Sequence, residues 1–325
     1  MPLLSVDNLS IGYQTRKGFL KSVEGVSFSV EQGKSLGFVG ESGCGKTTIG
    51  MALMRLLPDN ASITNGRILL NGTDLLKISE EEMRRIRWKK IAMIFQAAMN
   101  ALNPVHRIGE QIMEAILTHD PAISRALATN QVENLFRMVG IPADRMRDFP
   151  HNYSGGMKQR AIIAMALACN PALLIADEPT TALDVIVQSQ ILNAIKELRK
   201  AFEISLIFIS HDIAVVADVC DDINIMFAGQ MIETGKREEV FTSPVHPYTK
   251  ELLGSYLTLD GKTGLDLPYS GETVNLIHPP SGCRFFERCP VADPICRQTQ
   301  PEWVEISSTH RVRCNVKIDE TEAKK

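Results

Sequence analysis

Along residues 1–260 the chain alternates short β-branched or apolar runs with longer stretches of helical periodicity, the rhythm of a sheet with helices packed on it. Residues 36–39, 91–95, 173–176 and 205–209 are short, apolar and followed by polar or Gly-rich positions. They are predicted to be buried strands of a mostly parallel sheet. Ahead of them, 4–11, 22–30 and 67–70 read as antiparallel strands, the last running into the turn Asn71-Gly72, so a small β subdomain is expected there. Between Asn103 and Tyr153 helical spacing takes over, as in 108–117 and 131–139, which predicts a helical insert over about residues 97–160. After Gly261 the texture changes again. Pro268, Pro279, Pro280, Pro290, Pro294 and Pro301 interrupt any long helix, so residues 261–325 are expected to form a separate loop-rich appendage with a disordered charged end from Asp319.

Composition narrows the class. With 325 residues, 44% hydrophobic and 22% charged, the chain can bury a full core and is not disordered throughout. The longest nearly apolar run, 161–169, falls short of the ~18 or more residues a membrane-crossing helix needs. No basic start followed by an apolar core opens the chain, so a cytoplasmic location is expected. A net charge of -3 gives no general attraction to nucleic acid or anionic lipid.

Two elements carry phosphate chemistry. Gly40-Glu41-Ser42-Gly43-Cys44-Gly45-Lys46-Thr47 stands between a predicted strand and a predicted helix through Leu56, the context in which a Gly-x4-Gly-Lys-Ser/Thr run is a phosphate loop rather than a turn with a solvated lysine. Its glycines let backbone N–H groups curve around phosphates and its helix N-terminus adds partial positive charge. Lys46 would neutralise the β and γ phosphates, Thr47 would offer a hydroxyl oxygen to Mg²⁺, and Thr48 continues the cradle. Leu173-Leu174-Ile175-Ala176-Asp177-Glu178 is an apolar strand delivering two carboxylates at its end. Asp177 would hold Mg²⁺ and Glu178 would orient and deprotonate an attacking water.

Tyr153-Ser154-Gly155-Gly156-Met157-Lys158-Gln159-Arg160 precedes that acidic strand. Ser154, Gly155 and Gly156 present a hydroxyl and bare amides at a helix N-terminus, a second anion site. With the two elements above, this run resembles the signature of ATP-binding cassette (ABC) proteins. The resemblance implies an α/β P-loop NTPase cassette with a mixed sheet, an antiparallel β subdomain and a helical insert, plus the small Cys-rich C-terminal appendage. It further implies ATP and Mg²⁺, and a dimer in which one subunit's signature closes on nucleotide held by the other. By the same resemblance Tyr13 stacks on adenine, Gln96 senses Mg²⁺ and the attacking water, Asp184 follows in Ala182-Leu183-Asp184, and His211 contacts the γ-phosphate. Tyr153 and Met157 stand where the commonest signature has Leu and Gln, and Ala97 where many relatives have Asp.

Between Lys46 and Ser154 there is room for a helical insert but not for a long coiled-coil arm, and only one phosphate loop and one signature occur. Arg16-Lys17-Gly18-Phe19, Leu102-Asn103-Pro104 and His246-Pro247-Tyr248-Thr249 resemble the oligopeptide, dipeptide and nickel importer group. That resemblance implies a second ABC ATPase subunit in a heterodimer, two transmembrane permeases, an extracytoplasmic solute-binding protein and no nucleic acid. The place implied is the cytoplasmic face of the membrane, and the cargo a peptide, nickel complex or oligosaccharide. A rival reading is a soluble regulatory or DNA-associated cassette that uses ATP as a switch.

Of seven cysteines, Cys283, Cys289, Cys296 and Cys314 crowd the last quarter. Disulfides do not suit a cytosolic ATPase. The spacing is wider than the roughly two to four residues between paired structural zinc ligands. Four thiolates also satisfy a [4Fe-4S] cluster, and the resemblance to relatives with this tail implies one. Cluster, zinc and free thiols all stay open.

Overall fold

The structure, a computed structural model, describes residues 2–181, 183–257 and 274–315. Ala182, the boundary at Gly261, Pro268 and the charged end from Asp319 lie outside the described residues. In chain order the strands are β1 (Leu4–Thr15), β2 (Gly18–Val30), β3 (Ser35–Val39), β4 (Ala61–Leu70), β5 (Thr73–Asp74), β6 (Ile91–Ile94), β7 (Leu173–Asp177), β8 (Ser205–Ser210), β9 (Asp222–Phe227), β10 (Gln230–Lys236), β11 (Trp303–Glu305) and β12 (Arg311–Arg313). The helices are α1 (Lys46–Leu53), α2 (Glu80–Ile86), α3 (Ile108–His119), α4 (Arg125–Met138), α5 (Gly155–Ala166), α6 (Val185–Phe202), α7 (Ile213–Val219), α8 (Arg237–Thr242), α9 (Pro247–Leu257) and α10 (Pro294–Gln298).

The chain forms two compact units that cut across sequence order. One holds residues 30–34 and 77–208, the other 2–29, 35–76 and 209 onward. In the first, β6 and β7 pair in parallel from Ile91 opposite Leu173 to Ile94 opposite Ala176, with β8 next to β7. Every residue of these three strands is buried, as continuous apolar runs covered on both faces require. The expected insert forms around α3 and α4. Ile108, Ile112 and Ile116 from α3 and Val132, Leu135 and Phe136 from α4 are buried, each set recurring at helical spacing. The Ser124 side chain caps α4 by accepting from the Leu127 N–H.

The second unit contains two sheets. The antiparallel sheet runs β2-β1-β4-β5, with β1 and β4 in register from Leu4 opposite Leu70 to Tyr13 opposite Ala61. At Asn71 and Gly72, φ values of 48 and 78 give the two positive-φ residues of a type I′ hairpin. The mixed sheet carries β11-β12-β10-β9-β3 in order. β3 and β9 are parallel, while β9 with β10, β10 with β12 and β11 with β12 are antiparallel. α7 lies so close to β3 that a Cβ on Gly37 would come within 2.0 Å of Val216.

The described tail differs from the separate appendage expected. Val312 of β12 pairs with Glu233 of β10, so the terminal hairpin extends the mixed sheet. Among the described tail residues the one α-helix is the short α10, and three-residue strands whose partner lies far back in the chain leave no periodic signal. The reading of the sequence also passes over β9 and β10. β4 begins at Ala61 rather than near Arg67, because its first half is mostly exposed and polar.

Candidate functional site

The phosphate loop follows β3 directly. Val39 pairs with Ile225 of β9, which fixes the take-off point of Gly40. A Cβ on Gly40 would sit 2.1 Å from the Met226 carbonyl oxygen, so only glycine lets the loop leave the sheet this tightly. Gly45, at φ 105, caps α1, and a Cβ there would meet the Ser22 carbonyl oxygen at 2.6 Å. Lys46 is buried, at 5% exposure, and its ammonium folds back to donate to the carbonyl oxygens of Gly40 (2.6 Å) and Glu41 (2.9 Å). Ser42, Gly43 and Thr47 are exposed, which leaves the Thr47 hydroxyl in a position to meet a hard cation. Cys44 is buried, and burial pushes its thiol up despite the nearby Lys46, so it stays a neutral packing group. Thr48 faces inward and shares hydrogen bonds of 3.2 Å with the Tyr13 hydroxyl and the Ser22 hydroxyl. Tyr13 is thereby tethered to the helix that carries the loop; Ser22 belongs to no motif that would mark it in the sequence. His211 also belongs to this unit, exposed at the end of β8 and followed by α7, whose N-terminal amides of Ala214 and Val215 donate to Asp212.

The other unit holds the acidic strand end and the serine-glycine turn. Asp177 closes β7 with 1% exposure, and Glu178 follows at φ 45. A non-glycine residue in this left-handed region is uncommon and concentrates at functional loops. Both a Gln96 amide hydrogen (3.0 Å) and the Thr181 hydroxyl (2.9 Å) donate to Glu178 Oε2. The structure therefore joins two of the three sequence-predicted catalytic residues and adds Thr181, which no motif singles out. Ala97 also has positive φ, 55. Asp and Asn tolerate that conformation better than alanine.

Ser154 caps α5 by accepting from the Met157 N–H at 3.3 Å. At Gly156 a Cβ would approach Val187 of α6 to 2.7 Å, so this glycine serves helix packing as well as leaving its amide bare. Tyr153, in place of the usual Leu, is buried and donates its hydroxyl proton to the Arg145 carbonyl oxygen at 2.9 Å; burial raises its phenol above the ordinary range. Asp184 caps α6 by accepting from Val187 N–H at 2.9 Å.

The tail thiols lie close together. The Cys283 N–H donates to the Cys296 carbonyl oxygen at 2.7 Å, and burial, with Cys296, Cys314 and Cys289 alongside, pushes the Cys283 thiol up to about 11. Burial also raises Cys289. Among the described residues, however, no three His, Cys, Asp or Glu side chains converge as a metal-binding group. The described tail cysteines do not present a formed ligand set. No described helix is long and apolar enough to cross a membrane.

Comparison with known proteins adds the following. Residues 23–181 match the ABC transporter family, and residues 232–296 match the oligopeptide/dipeptide transporter C-terminal region. The chain is 45% identical to a dipeptide transport ATP-binding protein, DppD, of Bacillus subtilis over 96% of this chain and 94% of that protein. It is 44% identical to an oligopeptide transport ATP-binding protein, OppD, of the same organism, over 96% and 88% respectively. A dimeric ATP-binding cassette solved in a post-hydrolysis state with ADP and Pi superposes at a TM-score of 0.65, covering 72% of this chain and 98% of that one at 24% identity, a likeness of fold.

Proposed function

This chain belongs to the ABC transporter family and is an ATPase subunit of it, and from that premise we propose that it powers uptake of peptides through separate membrane permeases. The observation that carries the reading is near-full-length identity of 45% to a dipeptide transport ATP-binding protein. The C-terminal match to the oligopeptide/dipeptide transporter region supports the same branch. In this reading residues 1–260 carry the ATPase machinery, and 261–325, whose described hairpin extends the same mixed sheet, are the transporter-type C-terminal region. A second, different ATPase subunit, two permeases and an extracytoplasmic solute-binding protein complete the machine at the cytoplasmic face of the membrane.

Each half-site has its task. Gly40 to Thr48 wrap the triphosphate in backbone amides, Lys46 leaves its two carbonyl partners to neutralise the β and γ oxygens, and Tyr13 offers a ring to the adenine. Thr47, Gln96 and Asp177 would hold Mg²⁺ through oxygen atoms, and the ion would lower the charge on the phosphates. Glu178 takes the proton of the attacking water while Gln96 holds its carboxylate in place. Ser154, Gly155 and Gly156 offer hydroxyl and amides to the γ-phosphate of nucleotide on the second subunit, with His211 and Asp184 completing the closed site.

The four tail thiols are proposed to hold a structural or regulatory [4Fe-4S] cluster, a reading supported by the thiolate count such clusters take. Iron and acid-labile sulfide analysis of anaerobically purified protein should give about four of each per chain; an iron-free, colourless, folded sample would remove the cluster.

The test of transport is reconstitution with its permease partners in proteoliposomes. Peptide uptake should need ATP and should vanish with Lys46→Ala. Uptake that ignored that substitution, or a complex that moved no peptide, would overturn the reading.

A further inference from the structure

Glu41 places a carboxylate inside a loop built to receive a polyanion, and three groups hold it. Its backbone N–H donates to the Tyr248 hydroxyl at 2.9 Å, and its carbonyl oxygen accepts from Lys46. Its carboxylate takes two hydrogen bonds from the Arg288 guanidinium, at 2.7 and 3.0 Å. That fork-to-fork geometry is the strongest pairing available to these groups.

Arg288 is itself fixed. It spans to Glu251 at 3.2 Å and lies over the rings of Phe227, Phe285 and Tyr248 at 5.3, 5.5 and 6.0 Å. Tyr248 is fully buried, its own N–H donating to His246 Nδ1 at 3.0 Å. His246 and Val245 in turn donate their N–H groups to the buried Glu233. The His246-Pro247-Tyr248-Thr249 run thus ends on the phosphate loop.

We propose that Arg288 and Tyr248 are positioning residues for the nucleotide site: Arg288 cancels the Glu41 charge that would repel the triphosphate, and Tyr248 fixes the Glu41 peptide so that the amides after it point inward. This rests on the reading of residues 40–48 as the ATP-binding loop. Loss of the guanidinium exposes incoming phosphates to a carboxylate one residue past Gly40, a repulsion of like charges at short range. Removing the carboxylate as well abolishes that repulsion.

The measurement is ATP affinity of the purified full chain by fluorescent-nucleotide titration, with Lys46→Ala as reference. Arg288→Met is expected to weaken binding about tenfold, the scale of one charge-assisted pair. Glu41→Gln with Arg288→Met should bind within about threefold of a Glu41→Gln chain measured beside it, because with the carboxylate gone the guanidinium has no charge to cancel. A support that acted only on folding would leave the double variant as weak as Arg288→Met, so failure of that rescue overturns the proposal. Parent-like affinity of Arg288→Met beside a Lys46→Ala chain that has lost ATP overturns it too. If Lys46→Ala binds ATP normally, it is the underlying reading that fails. Should Arg288→Met not fold, Tyr248→Phe keeps the ring packing and removes only the hydroxyl. It should weaken ATP about threefold, the scale of one neutral hydrogen bond, and an unchanged affinity there is the overturning result.

Discussion

At the residue scale, buried polar groups are held by specific partners, and His246 is one of them. His246 is fully buried, and burial lowers its pKa to about 4 against the opposing charge of Glu233. Its folded pKa lies below the ordinary histidine value of about 6.5, so the folded protein holds it neutral while the unfolded chain binds the proton first. Its penalty is therefore absent above about pH 6.5 and grows as pH falls toward 4, reaching on the order of 3 kcal/mol. Thermal melts at pH 7 and pH 5 should show a loss of stability on acidification, and His246→Asn, which keeps an acceptor for the Tyr248 N–H, should shrink it. An acid limb identical in both chains would remove His246 as its source.

At the element scale, what is legible in the sequence is local. The phosphate loop, β7 and the Asn71-Gly72 hairpin are each written in a few consecutive residues, and α3 in one run of apolar spacing. The pairing of β12 with β10 and the bracket on Glu41 are not: Tyr248 and Arg288 stand 207 and 247 positions beyond it. The Tyr248 run is recognisable as a family mark, but nothing in its spelling says which loop it meets. Glu178 shows both cases, since its place after β7 is legible while the Thr181 and Gln96 bonds depend on how the loops turn back. Asp184 has a local duty at the start of α6. Asp184→Ala should cost about 1 kcal/mol in chemical denaturation, whereas Asp184→Asn, an equally good cap, should cost little. If Asp184→Asn nonetheless slows ATP hydrolysis, the charge serves the reaction as well as the helix.

At the scale of the whole molecule, the two compact units divide the catalytic inventory. Tyr13, residues 40–48 and His211 lie in one; Gln96, residues 154–156, Asp177, Glu178 and Asp184 lie in the other. Glu178→Gln keeps the bond geometry to Gln96 and Thr181 within reach but removes the base. The expected outcome is retained ATP binding, turnover reduced by at least about a hundredfold, and an ATP-dependent shift to a dimer in light scattering. Undiminished hydrolysis would take Glu178 out of its role.

The unit that contains the phosphate loop is closed by strands and side chains from the opposite end of the polypeptide. During synthesis the loop leaves the ribosome well ahead of its Tyr248 and Arg288 supports, which emerge 207 and 247 residues after Glu41. A nascent chain halted before Arg288 would carry the glycine-rich sequence with Glu41 still unneutralised, so competence to hold nucleotide should arrive late in translation, together with the C-terminal residues.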